Sequence, residues 1–264
     1  MLFDIASRAR KVSALLRHRE LTTQSLDRVL WDFGMPWNAI KPEPLASIFP
    51  GISSIPNETT IHHPLERTKG TSIELDELCV LVIVARFLQP KRILEIGTFD
   101  GNTTLNLAAN TDAQIVTVDV PPGTSIALLE KGDVSNVRHE QRGAQFQGHR
   151  LARRIQQVFG DSGTMDWSSL GEPFDLVYLD GCHTSTYVHS DTKNALRMLN
   201  PGGTIVWHDY TWRSVSKVID SYAKHGVHVI QGTRFAVLKV ENPGRVLEAI
   251  GEQAFENGKR LVAQ

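Results

Sequence analysis

Residues able to do acid, base or ligand chemistry recur in this chain at the ends of short apolar runs. Glu95 and Gly97 close the run that starts at Arg92. Asp119 ends Ile115 to Val118, and Gly160-Asp161-Ser162 follow Ile155 to Phe159. Asp180 and His183 follow Phe174 to Leu179, and His208-Asp209 follow Thr204 to Trp207. In a parallel sheet the carboxyl ends of the strands share one edge, and ligands bind in the crevice outside it. Gly97 allows a tight turn and close approach of the backbone to a ligand. Phe99 stands at the middle glycine position of the dinucleotide G-x-G-x-x-G, and no Gly-Lys-Ser/Thr follows. A nucleoside without phosphate therefore fits this turn better than a pyrophosphate. Glu95 could pair with an ammonium group. Asp119, eighteen residues after Gly101, could accept both hydroxyls of an adenosine ribose. Asp161 could accept from an adenine amino group. Taken alone, each acid is as readily a turn or helix cap.

The elements that must position these residues follow from pattern. Thr71 and Glu74 make a capping box ahead of an apolar run to Leu88, and Gln89-Pro90 ends that helix. The runs above are five strands, with Val227 to Ile230 a sixth and Phe235 to Val240 a seventh. Helices are expected over Thr103 to Ala109, Asp191 to Leu199 and Ser214 to Lys224, and in the tail from Arg245. Pro201-Gly202-Gly203 reads as a turn. In the long stretch between Pro121 and Arg154, Leu128 to Lys131 and Ala144 to Arg153 are candidate helical pieces. Alternating short apolar strands and helices mean an α/β fold, a mostly parallel sheet covered on both faces. Residues 1–70 form an N-terminal helical and Pro-rich extension, broken by Pro36, Pro42, Pro44, Pro50, Pro56 and Pro64. Residues 71–264 form the main domain.

Composition sets limits. The 264 residues carry 28 Lys plus Arg and 29 Asp plus Glu. That balance argues against a general nucleic-acid binder, which shows a basic excess. The longest apolar run, Leu78 to Ala85, is far short of the ~20 residues that cross a bilayer. The two cysteines, Cys79 and Cys182, make neither a disulfide scaffold nor a zinc cluster. The cytoplasm is the expected compartment, with no membrane partner. Arg138, Arg142, Arg150, Arg153 and Arg154 form a basic run, read as a solvated face or subunit contact and alternatively as cover for an acidic ligand.

Two segments go further. E-x-G-x-x-x-G at 95–101, with Asp119 and Gly160-Asp161, resembles the cofactor motifs of class I S-adenosylmethionine-dependent methyltransferases. The segment from Phe174 through Asp180-Gly181-Cys182-His183, Tyr187 and Asp191 to Pro201-Gly202-Gly203 and Trp207-His208-Asp209-Tyr210 resembles the small-molecule O-methyltransferase branch called the type 24 family. The similarity runs over about residues 68–240. It implies a Rossmann-like sheet of seven strands in the order 3-2-1-4-5-7-6, strand 7 antiparallel, with helices on both faces. It also implies a cofactor site of Glu95, Gly97, Phe99, Gly101, Asn102, Thr103, Asp119, Asp161, Ser162 and Asp180. Glu95 and Gly97 then face the methionine part, Asp119 the ribose and Asp161 the adenine.

By the same resemblance Asp180, His208 and Asp209 are the metal-site positions. The family's acidic pair is His-Asp here, which leaves open whether His208 binds metal or orients the site. Cys182 stands where relatives often carry Asp. Methyl transfer needs an acceptor oxygen held in line with a sulfonium carbon. A divalent ion on Asp180 and Asp209, Mg²⁺ or alternatively Mn²⁺, would lower that oxygen's pKa. His183, three residues after Asp180, has the range for a general base; a loop histidine bonded to a carbonyl is the plain alternative. The expected catalytic residues are His183, Asp180 and His208. The expected activity is methylation of a hydroxyl on a sugar or natural product by a homo-oligomer, a homodimer in the simplest case. A metal-independent N-methyltransferase, a hydroxylase-like relative and a non-catalytic binding protein of this fold are the alternatives. Phe99 weighs against a dinucleotide oxidoreductase.

Overall fold

A computed structural model describes residues 39–56, 58–63, 73–124 and 142–251. Its centre is one eight-stranded sheet: β1 (Pro42–Glu43), β2 (Arg92–Ile96), β3 (Gln114–Asp119), β4 (Ile155–Phe159), β5 (Phe174–Leu179), β6 (Leu199–Trp207), β7 (His228–Ile230) and β8 (Ala236–Val240). Across the sheet the order is β1-β7-β8-β6-β5-β2-β3-β4. The pairs on either side of β2, and β5 with β6, are parallel; β8 runs antiparallel to β6 and β7. Seven strands thus take the expected order, and the expected count is corrected by one. Part of the N-terminal extension adds β1 beside β7 in parallel. The expected boundary between residues 70 and 71 lies outside the described residues.

The described helices include α1 (Leu45–Ile48), α2 (Leu75–Leu88), α3 (Asn102–Asn110), α4 (Ser185–Arg197) and α5 (Arg213–Asp220). Successive strand residues face opposite sides, so the sheet builds two cores. Leu94, Ile96, Val177, Leu179, Ile205 and Trp207 pack with α4 and α5. Ile93, Ile115, Leu176, Tyr178 and Val206 pack with α2, α3, Phe49 and Ile52. Burial on both faces is why β5 reads as an almost unbroken apolar run.

Several boundaries differ from expectation. Helix α2 has Glu74 as its N-cap without a side-chain capping bond; Thr71, the other half of the expected capping box, lies outside the described residues. Helix α4 begins at Ser185, capped by Thr184, which puts Asp191 in mid-helix and buried. A β-bulge between Phe174 and Leu176 lets β6 run through Pro201-Gly202-Gly203, where a turn was expected. Residues 144–149 are a series of turns, and only Arg150–Arg154 forms a 3-10 helix. The 128–131 piece lies outside the described residues. Residues 243–251 are helical, and no helix among the described residues is long and apolar enough to cross a membrane.

Candidate active site

The turn after β2 is shaped by what lies beside it. Gly97 has φ 102°, and a Cβ on it would sit 2.1 Å from the Asp180 carbonyl oxygen. Only glycine allows the β2 and β5 ends to close this tightly. Phe99 takes the left-handed conformation, φ 46°, an uncommon state for a side chain of this size. Its N–H donates to Asp119 Oδ2 at 2.8 Å, while Val120 N–H donates to Oδ1 at 2.8 Å. Arg142 Nη1 lies 3.1 Å from the same Oδ2. Burial nevertheless holds the Asp119 carboxyl above its usual range against the pull of Arg142.

Glu95 differs from expectation. It was expected to face the cofactor's methionine part and to be able to pair with an ammonium, but the side chain is fully enclosed. Thr117 donates to its Oε2 at 2.6 Å and Thr104 donates to the same atom. Burial without a cation pushes its pKa up to about 8, so it carries a proton at neutral pH. Gly101 ends the turn, Asn102 is buried in the first turn of α3, and Thr103 is half-buried beside it. On the far side, Asp161 accepts from Tyr187 Oη at 3.0 Å and from Gly163 N–H at 2.9 Å. Ser162 hydrogen-bonds Asp191, whose burial raises its pKa to about 7.

Beyond β5 the same sheet edge holds a different electrostatic arrangement. Asp180, His183 and Asp209 each offer one ligand atom, and these atoms lie within 4.8 Å of one another. Asp209 is reached through a left-handed backbone, φ 53°, at the end of β6. His183 Nε2 is 2.9 Å from Asp209 Oδ2, and its ring stacks on Trp212 with centroids 4.1 Å apart. Tyr178 Oη donates to Asp180 Oδ2 at 2.9 Å.

His208 is gripped from both sides. Nδ1 is 2.9 Å from Asp180 Oδ1 and 3.4 Å from Asp209 Oδ2, and Nε2 is 3.2 Å from Glu77 Oε2. Arg234 Nη1 meets Asp209 Oδ1 at 2.5 Å, and its Nε and Nη2 hold the Glu77 carboxylate. Burial alone would lower the His208 pKa, but Asp180 and Asp209 raise it well above the usual imidazole value. Burial would raise Glu77, but His208 and Arg234 bring it down to about 2. The same two cations hold Asp209 well below the carboxylate range.

The structure brings Asp180, His183 and Asp209 together, whereas the expected metal positions were Asp180, His208 and Asp209; both ring nitrogens of His208 are instead engaged by carboxylates. Glu77 and Arg234 were not foreseen. An acid on the apolar face of α2, next to Leu78, was the one available signal for Glu77. Arg234 comes from the β7–β8 connection, where nothing in the pattern marks it. Trp207 is core, with its Nε1 donating to Thr192. Within the basic run, Arg150 and Arg153 are exposed and Arg142 is buried. Arg154 donates to carbonyls near the end of α3, and Arg138 lies outside the described residues. His62 and His149 meet edge to face, centroids 5.2 Å apart.

Each carboxylate oxygen has about two lone pairs, so Asp180 and Asp209 keep acceptor capacity beside their protein donors. Two carboxylates with an imidazole in range suit Mg²⁺ or Mn²⁺. Tyr178, His208 and Arg234 are the kind of outer partners that orient metal ligands.

Residues 94–210 match the type 24 family model described as a methyltransferase domain. That match spans somewhat less than half of the chain and marks a similarity to the family. The strand order and the acids at the sheet edge are those that the resemblance to class I methyltransferases implies. A curated relative, catechol O-methyltransferase of Mycobacterium tuberculosis, is 28% identical over 128 residues, 48% of this chain and 51% of the relative. The chain thus spans about half the length of that relative. Among solved structures, the O-methyltransferase TomG of Streptomyces achromogenes in complex with S-adenosylmethionine is 19% identical. It covers 65% of this chain and 83% of that one, at a TM-score of 0.49. The Bacillus cereus O-methyltransferase in complex with S-adenosylhomocysteine is 15% identical over 64% and 83% of the chains, at a TM-score of 0.46.

Proposed function

We propose that this protein is an S-adenosylmethionine-dependent O-methyltransferase that methylates a hydroxyl of a small molecule, a sugar or natural product, with a divalent metal on Asp180 and Asp209. One observation carries the reading: the turn at Gly97 closes directly on Asp180, so a cofactor lying on that turn sits against the Asp180, His183, Asp209 cluster. The curated relative named a catechol O-methyltransferase supports transfer to oxygen.

In this reading Asp119 takes the ribose hydroxyls, and the Asp161–Ser162 turn takes the adenine. Glu95, protonated and tied to Thr104 and Thr117, braces the turn from below and does not meet the cofactor as an anion. Holding the acceptor oxygen near the sulfonium carbon makes the displacement effectively unimolecular. A bound metal would supply the charge that lowers the pKa of the acceptor hydroxyl. His183 receives the hydroxyl proton, and Asp209 Oδ2 at 2.9 Å stabilises the imidazolium that results. His208 is not assigned to the metal; it orients Asp180 and Asp209.

The test is calorimetric titration with S-adenosylhomocysteine, with and without Mg²⁺ or Mn²⁺, followed by an acceptor screen of catechols and sugars. Micromolar binding that Asp119→Asn weakens, with metal-dependent turnover that Asp180→Asn removes, is the expected result. Binding with full turnover in chelator sinks the metal part; no binding to folded protein sinks the whole reading.

A further inference from the structure

We propose that Arg142 sets the cofactor affinity of this site by competing with the ribose for Asp119. The inference rests on the reading of Asp119 as the ribose acceptor. A carboxylate has about four acceptor positions, two on each oxygen. Val120 N–H uses one on Oδ1, at 2.8 Å, and Thr98 N–H also donates to the carboxylate. Phe99 N–H at 2.8 Å and Arg142 Nη1 at 3.1 Å use two on Oδ2. A ribose diol held on both oxygens needs a position on each, and Oδ2 has none left. One of its two partners has to move.

Phe99 N–H is fixed in the turn. Its residue is held in the left-handed conformation, and its carbonyl accepts from Gly143 N–H at 2.8 Å. Arg142 reaches Asp119 through a side chain with rotatable bonds, so the guanidinium is the partner that yields. The competition is real because the pair is sheltered. Arg142 is 4% exposed, and an ion pair out of water is screened little. The uncharged diol must replace a charge-assisted contact.

The segment carrying Arg142 is docked on the cofactor turn itself. Gln145 N–H donates to the Asp100 carbonyl at 2.9 Å, and the Phe146 ring lies where a Cβ on Gly101 would be, at 2.6 Å. Gln147 Nε2 holds the Arg142 carbonyl at 3.0 Å. Arg142 therefore leaves Oδ2 as the cofactor nucleoside enters and regains it as the product nucleoside departs. The site gives up affinity and gains product release.

The experiment is titration of the full chain with S-adenosylhomocysteine, after thermal melting confirms that each variant folds. Arg142→Met is expected to tighten binding about tenfold, as when the open arrangement is about a tenth of the population. Arg142→Lys should stay near wild type. Gln147→Ala, a change at an exposed side chain that leaves the guanidinium in place, should tighten binding by a smaller factor and keeps the test usable if Arg142→Met does not fold. Unchanged or weaker binding by Arg142→Met, or by Gln147→Ala where Met is not tolerated, overturns the competition. If wild type and every variant fail to bind, the cofactor reading itself falls, and this inference with it.

Discussion

Two glutamates on opposite sides of the same sheet edge are equally hidden from water and behave oppositely. Glu95, beneath the cofactor turn, is surrounded by threonine hydroxyls and titrates at about 8. Glu77, on α2, is met by Arg234 and His208 and titrates at about 2. Burial penalises the charged form of both. Only a buried cation reverses the outcome, because hydroxyl dipoles do not repay the loss of water around a full charge. One half of the edge is thus kept nearly neutral, suited to an uncharged nucleoside. The other keeps Glu77 and Asp209 ionised, as the proposed metal and proton transfer would need.

The largest effect should come from removing the cation that makes the difference. Arg234→Met leaves Glu77 and Asp209 buried without their guanidinium, and breaking such a pair costs about 3–5 kcal/mol. Urea unfolding at neutral pH measures it, and a loss below about 1 kcal/mol would mean that His208 alone sustains both acids.

Glu95→Gln probes the other side. Below the ordinary glutamate range, near 4.5, Glu95 is protonated in both folded and unfolded chains. Between there and about 8 the unfolded chain ionises and the folded one does not, so stability falls as pH rises. The variant should remove that slope, which over the full window amounts to about 4–5 kcal/mol, and melt above wild type at pH 8.5. Parallel melting curves for the two proteins across that window would show that Glu95 ionises in place. The sign is opposite for Glu77: its contribution is present above about 4.5 and is lost as pH falls through about 2.

The smallest effect concerns the N-terminal segment, which touches both halves. Asn106 and Asn110, one turn apart on α3, each pair their amide with a backbone N–H and C=O of the 60–62 stretch. Asn110→Ala should cost about 1 kcal/mol and increase protease cleavage near residue 60, with S-adenosylhomocysteine affinity unchanged. A large loss of affinity would tie this strap to the cofactor half.

The alternation of apolar runs, the breakers between them and the acids that end them made most strand bounds legible, while the strand order came only with the family resemblance. Those features are local, and the strand period leaves little choice of register once both faces are buried. The motifs from Glu95 to Gly101 and from Asp180 to Asp209 pointed to the edge where Asp180, His183 and Asp209 meet, and they lie within the stretch that matches the family model. What the chain could not announce is which of its many charges would meet. Arg142 looked like one member of a solvated basic run, and Arg234 like nothing at all. Each was selected by a loop that returns to the edge far from its partner in sequence, Arg234 to Glu77 across 157 residues. Residue types at strand ends fixed where chemistry could occur. Protonation, and the competition for Asp119, depend on distances of about 3 Å between groups that only the folded chain brings together, because the energy of a buried charge is set by its nearest neighbours.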